Sequence, residues 1–250
     1  MGPPEPAGAA PGPAFYVSGR GPWRDVRAVL HPPYTAWHLS YVVLGACLAP
    51  TVRWSVLGAA LGAFFLAVGV GAHALDELRG RPLGTELPSR ALAGAGALGV
   101  AGAVALGAVG VAVVGVVLVP FIVVGAALVL AYNLELMGGR LHTETGFALA
   151  WGAFPVLTGY VAEARGLSLS AVVAAVAAAG LSRAQRELSS PARTLRRRAL
   201  SASGGVQMSD GSCVELDRAR LLAPLEGALR ALSWSMVALV TALALSRAGW

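Results

Sequence analysis

Long apolar runs separated by short polar connections dominate the chain. A spanning helix needs roughly 20 apolar residues to cross about 30 Å of hydrocarbon. Seven stretches approach that length: 34–50, 54–75, 91–108, 111–132, 146–163, 167–182 and 225–245. The run from Ala91 to Leu134 carries no charge. As one helix it would extend about 66 Å, so it must fold back, and Gly107 and Gly110 are the expected turn. Gly99, Ala103 and Gly107 recur at four-residue spacing, the small-residue stripe that lets membrane helices approach closely. Pro120 and Pro155 fall inside spans and are expected to kink them. The pattern predicts an all-α, polytopic transmembrane helical bundle of about seven spans.

The flanks read differently. Residues 1–14 are mostly proline, glycine and alanine with little to bury, as in a disordered tail. Residues 15–33, with Arg20, Trp23, Arg24 and Arg27, suit a short interfacial helix. The bundle then occupies 34–248, interrupted by a cytoplasmic linker over 184–221 whose serine- and glycine-rich part, 199–220, reads as flexible.

Composition narrows the class. Hydrophobic residues make up 56% of the chain and charged residues 13%, against about 25% charged in an ordinary globular domain. A water-soluble surface cannot be built from so few, which excludes a soluble enzyme, a disordered chain and a disulfide scaffold. Net charge is +6, and all nineteen basic residues are arginine. They fall between the apolar stretches, so topology accounts for them and nucleic acid is not an expected partner. Summed over alternate connections they divide sixteen to three. By the positive-inside rule the rich side is cytoplasmic, which puts the N-terminus inside and the C-terminus outside, in the cell membrane. Cys47 and Cys213 lie far apart with no metal-type spacing, so no structural disulfide is expected. The first apolar run begins only after residue 33, and no signal peptide is expected.

Charged groups near membrane depth are candidates for function, and three clusters fall at cytoplasmic ends of the expected spans. In the first, His73 precedes Asp76 and Glu77 by three and four residues, so all three can share a helix face. Two carboxylates and an imidazole suit a divalent cation, with Arg79 and Arg81 close by for phosphate oxygens. The plain alternative is a helix end whose charges sit among the headgroups. The second cluster is Tyr132, Asn133 and Glu135, followed by Arg140, His142 and Glu144: either a solvated hairpin, or a polar wall that orients a head group, with His142 as proton carrier. The third is Arg183-Ala184-Gln185-Arg186-Glu187 followed by the basic run from Arg193 to Arg198. That run serves as a positive-inside determinant that attracts anionic lipids, or else Arg193 contributes to an anion site.

Together the clusters resemble the UbiA superfamily of intramembrane prenyltransferases, over about Tyr34 to Leu195. His31-Pro32-Pro33-Tyr34 resembles the family's entry segment, and Tyr132 to Gly159, with Ala150-Trp151-Gly152-Ala153, its central helix pair. The resemblance implies a helical bundle that attaches an isoprenoid diphosphate to an acceptor, with magnesium held by two aspartate-rich motifs. The departures are large. Where the first motif reads N-D-x-x-D, this chain has His73-Ala74-Leu75-Asp76-Glu77. Where the second reads D-x-x-x-D before G-x-R-T-L, alignment on Arg193-Thr194-Leu195 puts Arg183 and Glu187 at the acidic positions. The family's nine spans are also reduced. In this alignment Asp76, Glu77 and Glu187 would hold magnesium and carry catalysis, and His73, Arg79, Arg81, Asn133, Glu135, Arg140, His142, Arg183 and Arg193 would bind substrate. Magnesium demands near-octahedral oxygen ligation, so fewer carboxylates imply fewer metals, with an arginine at 183 neutralising phosphate directly.

Two functions follow as expectations. One is a divergent UbiA-like prenyltransferase acting on an isoprenoid diphosphate. The other is a non-catalytic membrane protein that binds a polyprenyl lipid or assembles with a neighbouring enzyme. A small transporter fits less well, because nearly all charge sits at span ends, His38 being the main ionisable exception, and no internal repeat is evident.

Overall fold

Proline and glycine set most of the helix boundaries. In the computed structural model, which describes residues 13–17, 19 and 21–250, helix α1 (Pro22–Leu30) gives way at His31, whose φ is 45°. Pro32 and Pro33 then open α2 (Pro32–Leu48), at positions where a missing N–H costs nothing. Helix α3 (Trp54–Leu78) is π-helical from Phe65 to Ala72. Helix α4 (Ser89–Val114) stops at Gly115, whose φ of 118° only glycine adopts without strain. Helix α5 (Val116–Asn133) follows at once. Helix α6 (Glu144–Ala164) is capped by Thr143, whose Oγ1 accepts the Gly146 N–H at 3.0 Å, and has a second π segment at Leu149–Ala153. Helix α7 (Leu169–Arg197) is capped by Ser168. An antiparallel hairpin, β1 (Ser203–Gln207) and β2 (Cys213–Asp217), leads into α8 (Arg218–Ala248).

Each expected span contains a helix, and five (α3, α4, α5, α6 and α8) are long and apolar enough to cross a membrane. Helix α2 has 17 residues, under the roughly 20 that a crossing needs, and α7 turns polar after Ser182. Several expectations are corrected. The hairpin between α4 and α5 turns at Gly115, not at Gly107 and Gly110. Pro120 lies in the first α-helical turn of α5 instead of kinking its middle. Residues 184–197 continue α7, and the stretch read as flexible, 199–220, contains the hairpin. The tail expected over 1–14 falls outside the described residues up to position 12.

Glycines let helices touch backbone to backbone. A Cβ on Gly45 of α2 would lie 2.0 Å from the Val156 carbonyl oxygen, and one on Gly159 of α6 would lie 2.2 Å from that of Val42. Trp37, Tyr41 and Val156 are fully buried beside this crossing. A Cβ on Gly99 of α4 would lie 2.6 Å from the Leu66 carbonyl oxygen in the π segment of α3. At one end of the bundle, three arginines fasten the connections. Arg53 binds Glu163 through its Nε at 3.2 Å, Arg165 donates to the Val113 carbonyl, and Arg247 donates to those of Ala49 and Pro50. These are the three arginines of the arginine-poor side.

Candidate functional site

The other end of the bundle holds a polar chamber of about 270 Å³. His31 and Tyr34 reach it from the start of α2, His73 and Asp76 from the end of α3, and Tyr132 and Asn133 from the end of α5. His142 enters from the loop before α6, and the basic half of α7 closes the remaining side. Pro13 to Tyr16 lie across it: Tyr16 shares a hydrogen bond with the His31 ring, and Arg197 donates to the Pro13 carbonyl at 3.2 Å.

Five of the residues assigned from sequence to metal, catalysis or substrate therefore line one space: His73, Asp76, Asn133, His142 and Arg193. Asn133 donates from Nδ2 to the Val129 carbonyl at 2.7 Å, and His142 stacks on Tyr132 with ring centroids 4.5 Å apart. The others lie elsewhere. Glu77 is fully buried, and its carboxylate accepts bonds from Leu83 N, Thr85 N and Thr85 Oγ1 at 2.8–2.9 Å. Arg79 pairs with Glu135 at 3.0 Å on an exposed edge. Arg81 donates to the carbonyls of Thr85 and Leu87 and to Ser89. Arg140 is exposed, and Arg183 and Glu187 pair with one another at 3.0 Å on the outer face of α7.

Helix geometry explains the split. Consecutive residues are rotated by about 100°, so with Asp76 facing the chamber Glu77 turns into the α3–α4 loop, and with Arg186 facing it Glu187 turns out. The three carboxylates assigned to magnesium do not meet. Among the described residues no group of three or more His, Cys, Asp or Glu side chains is placed to hold a metal ion.

Arginine dominates instead. Arg186, Arg193, Arg196 and Arg197 line the chamber against the carboxylates Asp76 and Glu226. Arg196 clasps Glu226, with Nη2 2.8 Å from Oε2. Arg186 donates to the Tyr132 hydroxyl at 2.7 Å and lies over the Phe147 ring. Among the described residues Arg193 bonds only to the hydroxyls of Ser189 and Ser190, at 3.0 and 3.1 Å. Among the described residues neither Arg193 nor Arg197 forms an ion pair. Burial, then Arg197 and Arg186, holds the Arg193 guanidinium below its usual pKa range, and burial does the same to Arg197. Crowded like charges of this kind are relieved by an anion. Gln185 lines the same space, is 3% exposed, and among the described residues its Oε1 has no hydrogen-bond partner. Buried amides rarely remain so unless an occupant completes them.

Sequence reasoning placed Gln185 and Arg186 in the third polar cluster and Arg197 in the basic run after it, but gave none of the three a role in binding. The signal was their helical spacing: 182, 185, 186, 189, 193 and 197 lie on one face if α7 continues past the apolar stretch.

Beside the chamber, an apolar cavity of about 330 Å³ runs between α3, α4, α5 and α6, with no charged residue in its lining. Val104, Val109 and Val113 border it and are themselves exposed, so it opens to the outside of the bundle. Val68 and Trp151 line both spaces. No family model, curated protein or solved structure matches the chain.

Proposed function

We propose that this is a divergent UbiA-like membrane protein that takes up an isoprenoid diphosphate and transfers its prenyl group. The single observation that carries this reading is the adjacency of the two spaces, an arginine-lined chamber at one end of the bundle and an uncharged cavity beside it. The diphosphate would lie against Arg193 and Arg197, and the isoprenoid chain would occupy the apolar cavity. As the allylic C–O bond breaks, the electron pair leaves with diphosphate, and the guanidinium groups stabilise the charge that develops there. The new bond forms to an acceptor that gives up a proton, for which Asp76 is the carboxylate at hand. Asp76 is also the one expected magnesium ligand in the chamber, so most neutralisation falls to arginine. On this reading all seven long helices are embedded in the cell membrane with the arginine-rich end cytoplasmic, as the sixteen-to-three division favours.

The separation of Glu77 and Glu187 from Asp76 favours a second reading, a lipid-binding or complex-forming protein without transfer. Purified full-length protein incubated with radiolabelled prenyl diphosphates, phenolic or quinone acceptors and magnesium separates the two. The transferase reading expects release of diphosphate that is lost in Asp76→Ala. It also expects binding weakened about tenfold or more in Arg193→Ala, as for a charge-assisted hydrogen bond worth about 1.5–3 kcal/mol. Binding without release leaves the second reading, and absence of binding removes the transferase reading.

A further inference from the structure

We propose that Val68 and Trp151 form a sill between chamber and cavity, over which the chain of a bound amphiphile passes, and that the bulk of these two side chains selects which chains are accepted. The inference rests on the head-and-chain placement proposed above and adds the residues that decide its specificity.

Of all the described residues lining either space, only Val68 and Trp151 line both. They come from different helices, so the passage is bounded from two sides. Polarity changes across them. On the chamber side lie His38, His73 and Tyr132, and on the cavity side Phe64, Ala67 and Phe154. A molecule occupying both spaces must therefore have its junction of head and chain at this point. Val68 and Trp151 are 5% and 6% exposed and belong to one apolar cluster. The indole is held edge-on by Tyr132 and His38, with ring centroids 5.7 and 6.3 Å away.

The backbone supplies an independent observation. Val68 lies in the π segment of α3 and Trp151 in that of α6. π-helical segments are rare, interrupt the regular hydrogen-bond ladder and are frequent at functional sites. Two of them carry the two residues of the sill. A π turn displaces its side chains relative to those of a regular helix, and both boundary residues sit in such a segment.

The experiment uses full-length protein in lipid nanodiscs and measures equilibrium binding of inorganic diphosphate, dimethylallyl diphosphate and geranylgeranyl diphosphate. Val68→Phe should leave inorganic diphosphate and the short-chain ligand within about twofold of the unsubstituted protein, and weaken the long-chain ligand by roughly tenfold or more. Trp151→Phe, which retains an aromatic ring of smaller bulk, should shift preference toward the long chain. It supplies the test if Val68→Phe fails to fold by thermal melting. Unchanged discrimination between the two chain lengths in a folded variant overturns the sill while leaving the head site in place. That outcome means the ligand's chain does not pass between Val68 and Trp151. If the unsubstituted protein binds inorganic diphosphate but neither prenyl diphosphate, the proposed function fails, and the sill with it.

Discussion

Asp76 and Glu77 are neighbours with different tasks. Asp76 borders the chamber, whereas Glu77 holds the α3–α4 loop by accepting bonds from Leu83 and Thr85. Replacing a buried acceptor so that donors lose their partner costs about 1–3 kcal/mol. Glu77→Gln should therefore lower the thermal midpoint measurably in detergent, with or without magnesium. Glu187→Gln on the outer face should change stability by no more than about 0.5 kcal/mol. Equal melting of Glu77→Gln and the unsubstituted protein would contradict the loop-holding role. Spacing alone made His73, Asp76 and Glu77 legible as one polar patch. It did not say which carboxylate points inward, because that depends on the rotation of α3 about its own axis.

At the scale of elements, the crossing of α2 and α6 leaves no room for a side chain at Gly45 or Gly159. Gly159→Ala should destabilise by about 1–3 kcal/mol, the usual range for overpacking. Gly58→Ala on α3, where a Cβ would meet nothing within 4 Å, should be neutral or slightly stabilising. Thermal melting of the two variants side by side checks this, and equal effects would sink the close crossing. Helix positions were largely readable from apolar length and from proline and glycine. The end of α7 was not, because charge begins at Arg183 and was read as the end of the span. Alanine, arginine, glutamine, glutamate and leucine are all good helix formers, so α7 continues to Arg197 and carries Gln185, Arg193 and Arg197 to the chamber. The π segments left no trace that periodicity could detect.

For the whole molecule, the arginines sort by end. Arg53, Arg165 and Arg247 bind carbonyls at one end, and the chamber with its four arginines lies at the other. Cys213, exposed in β2, and the buried Cys47 form a natural reporter pair. A membrane-impermeant maleimide should label Cys213 in inside-out vesicles and not in intact cells, with Cys213→Ser abolishing the signal. Labelling in intact cells would invert the proposed orientation.

By itself the sequence determined that the chain is helical, membrane-embedded and unequal in charge at its two ends. Hydrocarbon thickness and the need to satisfy every backbone hydrogen bond act on each stretch separately, so these properties can be read one stretch at a time. Only the tertiary structure decided which charged residues look inward. Helix rotation is set by contacts between distant stretches, such as Gly45 with Val156 and Gly99 with Leu66. A turn of about 100° is enough to exchange Asp76 for Glu77.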